Sequence, residues 1–274
     1  MNLSTPDEDD LSAELCLFPF KQAGQPALHY VHDVSGSVLN FVPIARELAD
    51  EHDMIGFQCL GLDLDCAADQ TIEQMAERYT RVLLDQGLAP SYDLIGYSMG
   101  GLIAFEMAAR LSEHGARIGL LGLLDPTVPG SISDDVGVGT VVRLLGRSIG
   151  VPSIGADDCE DVDELLAILV AEAGAAGLLP ASYTAEDLRP SVELRLTNAQ
   201  AAARYRPAHV LPGDIQLLGA GEAGLPAQLR GWMPFTHGQV HGSAIDADHV
   251  SLVGEQNAPA VANVIRAWLD RAAG

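Results

Sequence analysis

Positive charge is scarce in this chain: 15 Lys and Arg stand against 38 Asp and Glu, a formal charge of −23. Such a surface repels DNA, RNA and anionic lipid over most of its area, which excludes nucleic-acid and membrane-surface partners. Much of the acidic excess is clustered, in "PDEDD" (6–10) and "DDCEDVDE" (157–164). Both clusters read as solvated surface, with docking of a basic partner as the alternative. Long apolar runs are also missing. "IGLLGLL" (118–124) falls far short of the roughly 18 residues that a membrane-spanning helix requires. The first residues, "MNLSTPDEDDLSAEL", lack the cationic start and apolar centre of a signal peptide, so a cytoplasmic location is expected. The four cysteines, Cys16, Cys59, Cys66 and Cys159, form no CxxC and no metal-ligand spacing. Cys59 reads as core and the other three as ordinary reduced thiols. Internal repeats and low-complexity tracts are absent.

What is present is a chain of 274 residues with enough apolar content for a full core. Residues 1–22 read as an acidic tail, and 23–274 as one domain. Strand and helix patterns alternate through that domain: strands over 27–34, 53–60, 92–98, 117–125, 214–220 and 239–245, and helices over 38–51, 71–87, 100–115 and 258–272. Thr71 and Gln74 fit a capping box, Gly87 fits the exit of the same helix, and Glu106 and Arg110 form an i,i+4 pair. This order predicts an α/β fold with a mostly parallel sheet and helices on both faces. Between Asp125 and Asp214 the alternation breaks, with helical patterns over 161–174 and 188–205. The stretch is too long for one loop. A helical lid inserted over about 131–205 is the simplest account.

"LIGYSMGG" (94–101) joins a strand pattern to a helix pattern. A strand turning sharply into a helix crowds its own backbone, so the residues two before and two after the apex must be small. Gly96 and Gly100 meet that need, and Ser98 at the apex projects its hydroxyl clear of the sheet, as a nucleophile elbow G-x-S-x-G does. The helix start behind it offers free N–H groups. A serine hydroxyl needs a base in reach. Among the histidines after residue 200, His249 in "DADHVSLVG" follows the last strand pattern and precedes the last helix, whereas His237 and His241 flank or enter a strand and His209 lies earlier. An acid must orient that base. On spacing, Asp125, 27 positions after Ser98, and Glu222 in "GAGEAG" both qualify. Asp248 adjoins the histidine and is expected to point away. For an oxyanion hole, Met99 N–H is one expected donor. The second is expected from the loop "HDVSGS" (32–37), from Val34 or, behind it, Ser35.

Taken with their surroundings, these residues resemble the type I thioesterases of the α/β-hydrolase superfamily, the release domains of nonribosomal peptide and polyketide assembly lines. The resemblance spans roughly residues 27–270. It rests on "GYSMGG" with Tyr97, on "LLDPTVP" (123–129), on "GLLPASYTAEDLRPSVELRLTNAQAAARYRP" (177–207) and on "DHVSLV" (248–253). It favours Asp125 over Glu222. The chain departs from the family in "HDVSG", where His-Pro-x-Gly-Gly is usual, and in Val250, where Phe is usual.

The resemblance implies a Ser98–His249–Asp125 triad and no cofactor of the protein's own. The substrate, a peptidyl or ketidyl thioester, would arrive on the phosphopantetheine arm of an acyl or peptidyl carrier protein. Release would be hydrolytic or cyclising, under a lid whose aliphatic character suggests an apolar chamber. Carrier proteins of such systems tend to be acidic, so docking would rely on a local cationic patch, for which Arg143, Arg147, Arg204 and Arg206 are candidates. Competing readings are an editing (type II) thioesterase, whose elbow more often reads Gly-His-Ser, a general carboxylesterase, and a binding module that has lost its chemistry.

Overall fold

Runs such as "DMIGF" and "RIGLLGLL" are apolar on both faces, which suits strands covered by helices on each side. The computed structural model of the protein describes residues 16–62, 66–87, 89–151 and 161–273. Its strands are β1 (Leu17–Lys21), β2 (Ala27–Val31), β3 (Asp53–Phe57), β4 (Ser91–Tyr97), β5 (Arg117–Leu124), β6 (Ile215–Ala220) and β7 (Val240–Ile245). They form one sheet in the order β1-β3-β2-β4-β5-β6-β7, parallel except for β1 against β3. This is the mostly parallel α/β-hydrolase sheet expected from the sequence. The chain steps outward from β2 to β3, then returns past β2 to β4 and continues the other way. The carboxyl ends of β2 and β4 therefore flank a topological switch point, where α/β sheets hold their sites.

Helices α1 (Val42–Leu48), α2 (Ile72–Asp85), α3 (Gly100–Glu113), α7 (Leu225–Trp232) and α8 (Ala258–Ala273) flank the sheet. One face buries Met75, Tyr79 and Leu83 of α2 with Leu102, Phe105 and Met107 of α3. The other buries Ile44 and Leu48 of α1 with Val261, Ile265 and Trp268 of α8. α3 is apolar nearly all round because sheet and neighbouring helix cover it. Between β5 and β6 lie α4 (Val138–Ser148), α5 (Val162–Ala175) and α6 (Ala185–Arg204), which share a separate apolar cluster through Val141, Leu145, Leu165, Leu169, Leu188 and Val192. Hydrogen bonds tie α6 and its exit to the main body. Asn198 Nδ2 donates to the Val34 carbonyl at 3.0 Å, and just past the helix the Tyr205 hydroxyl donates to buried Glu106 at 2.8 Å.

Several expectations need correction. The stretch read as a tail over 1–22 contains β1; the acidic cluster at 6–10 lies outside the described residues, as do 157–160 and Cys159. Pro19 hid the strand, yet proline is tolerated on an edge, where one side of the ladder has no partner. α4 was hidden by Gly137, Gly139 and Gly146, and α7 by Pro226 in its first turn. The helix expected over 38–51 is shorter, a 3-10 turn at Leu39–Phe41 leading into α1. At the start of α2, Thr71 Oγ1 accepts from Gln74 N–H at 3.1 Å, while Gln74 Oε1 reaches back to Gln70 N–H and not to Thr71. Cys16 is a reduced thiol, as expected, but it is fully buried like Cys59, and burial raises both, to about 12 and about 11.

Candidate active site

The elbow glycines answer to direct contacts. A Cβ on Gly96 would lie 2.2 Å from the Gly100 carbonyl oxygen, and a Cβ on Gly100 would lie 2.4 Å from those of Val31 and His32. Ser98 between them adopts φ 55°, in the left-handed region that L-residues avoid. It is pinned there: Ser98 N–H donates to Leu124 O at 2.9 Å, and Thr127 N–H donates to Ser98 O at 3.1 Å. Asp125, at the end of β5, takes φ 37° and is fixed by its N–H to Leu218 O at 2.6 Å.

Side chains from three strand ends converge. His249 Nδ1 lies 2.6 Å from Asp125 Oδ2, and His249 Nε2 lies 3.0 Å from Ser98 Oγ. A carboxylate only accepts, so Nδ1–H donates to Asp125 and Nε2 keeps its lone pair toward the serine hydroxyl. The other oxygen of Asp125 accepts from Ala220 N–H at 3.1 Å and from Gln228 Nε2 of α7 at 2.7 Å. Burial by itself would raise the Asp125 carboxyl, but the bonds from His249, Gln228 and Ala220 outweigh it and hold it below the usual range. The imidazole lies at the surface, its side chain 44% exposed against 14% for Asp125. The arrangement can take a proton from Ser98 and stabilise the charge that results.

Other candidate residues lie elsewhere. Glu222 is exposed, with no hydrogen bond to His249. Asp248 turns from the imidazole and accepts from Ser251 and Val250 N–H at 3.0 and 2.9 Å, bonds that hold its carboxyl below the usual range. His241 lies 2.9 Å from Asp214, and His209 lies near Glu113. Of the four arginines, Arg206 pairs with Asp134 at 3.2 Å, and Arg147 and Arg204 are exposed. Among the described residues no group of three or more His, Cys, Asp or Glu is placed to hold a metal. No helix among them is long and apolar enough to cross a membrane. Two cavities of about 530 and 800 Å³ open toward the amino-terminal ends of the strands, around Arg117 and Gly119, and neither lining includes Ser98, Asp125 or His249.

The loop after β2 is built by side chains the sequence reading did not interpret. Fully buried His32, kept neutral by that burial, donates from Nδ1 to the Asp33 carbonyl at 2.6 Å and bonds the Tyr79 hydroxyl through Nε2 at 2.8 Å. Asp33 and Ser35, which stand in "HDVSG" where the family pattern has Pro and Gly, bond each other. The Asp33 carboxylate accepts from Ser35 N–H at 2.9 Å and from the Ser35 hydroxyl, while Asn40 Nδ2 reaches its other oxygen at 3.1 Å. An Asx turn thus supplies the stiffness a proline would. Val34 packs against the apolar cluster of α4, α5 and α6, and Met99 caps α3 behind the serine.

A family model described as "Thioesterase domain" matches residues 26–269. Enterobactin synthase component F of Escherichia coli (strain K12) is 31% identical over 113 residues, which are 41% of this chain and 9% of that protein. The chain therefore matches only a small part of that curated relative. Among solved structures, a four-domain nonribosomal peptide synthetase bound to AMP and glycine superposes with a TM-score of 0.78 at 23% identity, covering 92% of this chain and 20% of that one. The RedJ thioesterase from the prodiginine biosynthetic pathway in Streptomyces coelicolor superposes with a TM-score of 0.65 at 23% identity, covering 88% and 87%.

Proposed function

The chain belongs to the thioesterase domain family, and on that premise we propose that it releases a peptidyl or polyketidyl chain from the phosphopantetheine arm of a carrier protein through an acyl-Ser98 intermediate. The observation that carries this reading is the continuous run from Asp125 through His249 to Ser98, at 2.6 and 3.0 Å.

His249 Nε2 takes the Ser98 proton as Oγ attacks the thioester carbonyl carbon. The carbonyl oxygen becomes an oxyanion held by the N–H groups of Met99 and Val34; losing one such donor typically costs on the order of 3 kcal/mol. Asp125 stabilises the imidazolium. The tetrahedral centre collapses, the carbon–sulfur bond breaks, and the leaving thiol takes the proton from His249. Water, or a hydroxyl or amine of the bound chain, then attacks the acyl-enzyme with His249 again as base, giving a free acid or a ring. The helices between β5 and β6, held together by their own apolar cluster, serve as lid, and excluding water from the acyl-enzyme favours attack by the bound chain itself.

Mass spectrometry of Ser98 after incubation with a panel of peptidyl and ketidyl thioesters tests the reading. The expected result is an acyl adduct on Ser98, absent in Ser98→Ala. Preference for acetyl over long chains would make this an editing enzyme, and equal turnover of oxygen esters a general esterase. An unmodified Ser98 with every thioester and with a fluorophosphonate would sink the enzymatic reading.

A further inference from the structure

Tyr97 precedes the nucleophile in sequence and was read above only as part of the elbow motif. In the fold it is buried at the end of β4, 3% exposed, with its ring on the Phe41 side of the sheet. It touches His249 twice. Its hydroxyl donates to the His249 backbone carbonyl at 2.5 Å, and its ring stacks on the imidazole with centroids 5.0 Å apart and planes 26° from parallel. Asp248, His249 and Val250 are three consecutive exposed residues, so the loop that carries the imidazole lies at the surface. A loop of that kind opens easily unless something buried holds it. The Tyr97 hydroxyl belongs to a rigid strand, and burial among the Asp33, Asp125 and Asp248 carboxylates keeps it protonated and a donor.

We infer that Tyr97 is a positioning residue for the base: its hydroxyl clamps the His249 loop to the sheet, and its ring face fixes the imidazole plane and favours the imidazolium that forms when Ser98 gives up its proton. This rests on the acyl-Ser98 chemistry proposed above. The charged groups facing the imidazole are Asp125, just past β5, and Asp248 from its own loop, while Asp33 from the loop after β2 faces the Tyr97 side of the pair. Each lies on a different element from Tyr97, so changing Tyr97 leaves all three in place.

The test measures the second-order rate of fluorophosphonate labelling at Ser98 across pH, with melting temperatures, for the wild type, Tyr97→Phe and Tyr97→Leu. Tyr97→Phe keeps the ring and loses only the clamp; labelling is expected to slow by about tenfold with the acid limb unmoved. Tyr97→Leu keeps an apolar side chain but loses the ring face; labelling slows further and the acid limb moves down by about half a pH unit. Folded variants that label at the wild-type rate with the wild-type profile overturn the proposal. So does a slower Tyr97→Leu whose acid limb stays in place, because lost packing then accounts for it. A wild type that is not labelled defeats the function proposed above, whereas a labelled wild type with indifferent variants defeats only this role of Tyr97.

Discussion

Ser98 and Asp125 are the two non-glycine residues described at positive φ, and each ends a strand, β4 and β5, beside the other. Such geometry persists only where surrounding bonds over-determine it, and both residues have their backbone N–H fixed by a neighbouring strand. Asp125 depends further on α7. Its Oδ1 takes the Gln228 amide, so Gln228→Leu removes one of the bonds that outweigh burial. The carboxyl should then ionise at higher pH, and the orientation of His249 should loosen. The expected outcome is acyl transfer reduced by about tenfold at neutral pH, from one lost hydrogen bond to a charged group, with the acid limb displaced upward. A pH–rate profile beside the wild type, with the melting temperature as control, checks it.

At the scale of elements, the junction of β4 and α3 tolerates no side chain at its two glycines. Gly96→Ala places a Cβ 2.2 Å from the Gly100 carbonyl, which is backbone and unable to swing aside. The helix must back away from the strand. Overpacking of this kind typically costs about 1–3 kcal/mol, and the hydroxyl of Ser98 moves with the turn. Gly96→Ala is expected to lose fluorophosphonate labelling and to melt at lower temperature, whereas Gly115→Ala, strained at φ 83° but meeting nothing within 4 Å, should melt lower and label normally. Labelling kinetics with thermal melts on both variants separate local blockage from general destabilisation.

Across the whole molecule, acid stability follows from buried histidines as well as carboxylates. Burial pushes the His29 ring from its usual 6.5 down to about 4, against the opposing effect of its bond to the Asp93 carbonyl, and His32 is lowered for the same reason. A histidine held low binds fewer protons folded than unfolded between those two values, so its contribution is full above about 6.5 and fades as pH falls toward about 4. Asp125, held below the usual carboxylate range, adds a loss at still lower pH. The melting temperature should therefore begin to fall below about pH 6.5, before most carboxylates titrate. Replacing His29 with Asn, which cannot titrate there, should flatten that first limb. A series of melts from neutral pH to about pH 4 at constant ionic strength measures that limb in the wild type and in His29→Asn.

Alternation of apolar runs, the glycine pair around Ser98 and the lone serine at their centre were legible in the sequence because they are local: periodicity and the size of a backbone gap depend on near neighbours in the chain. The same local logic failed where a distant partner decided the outcome. Pro19 reads as a strand breaker until β3 supplies an edge for it, and Asp125 and Glu222 stay equivalent on spacing until β6 and α7 place donors around the first. Gln228 shows no special pattern in the chain, and Tyr97 and Asn198 lie in motifs that do not say what they bond; the partners of Gln228, Asn198 and Tyr97 are 103, 164 and 152 positions away. The sequence by itself determined which residues have the chemistry and which turn presents the nucleophile. Only the tertiary structure decided which acid meets the base and what holds that base still, because those are contacts between chain segments whose separation in sequence says nothing about their distance in space.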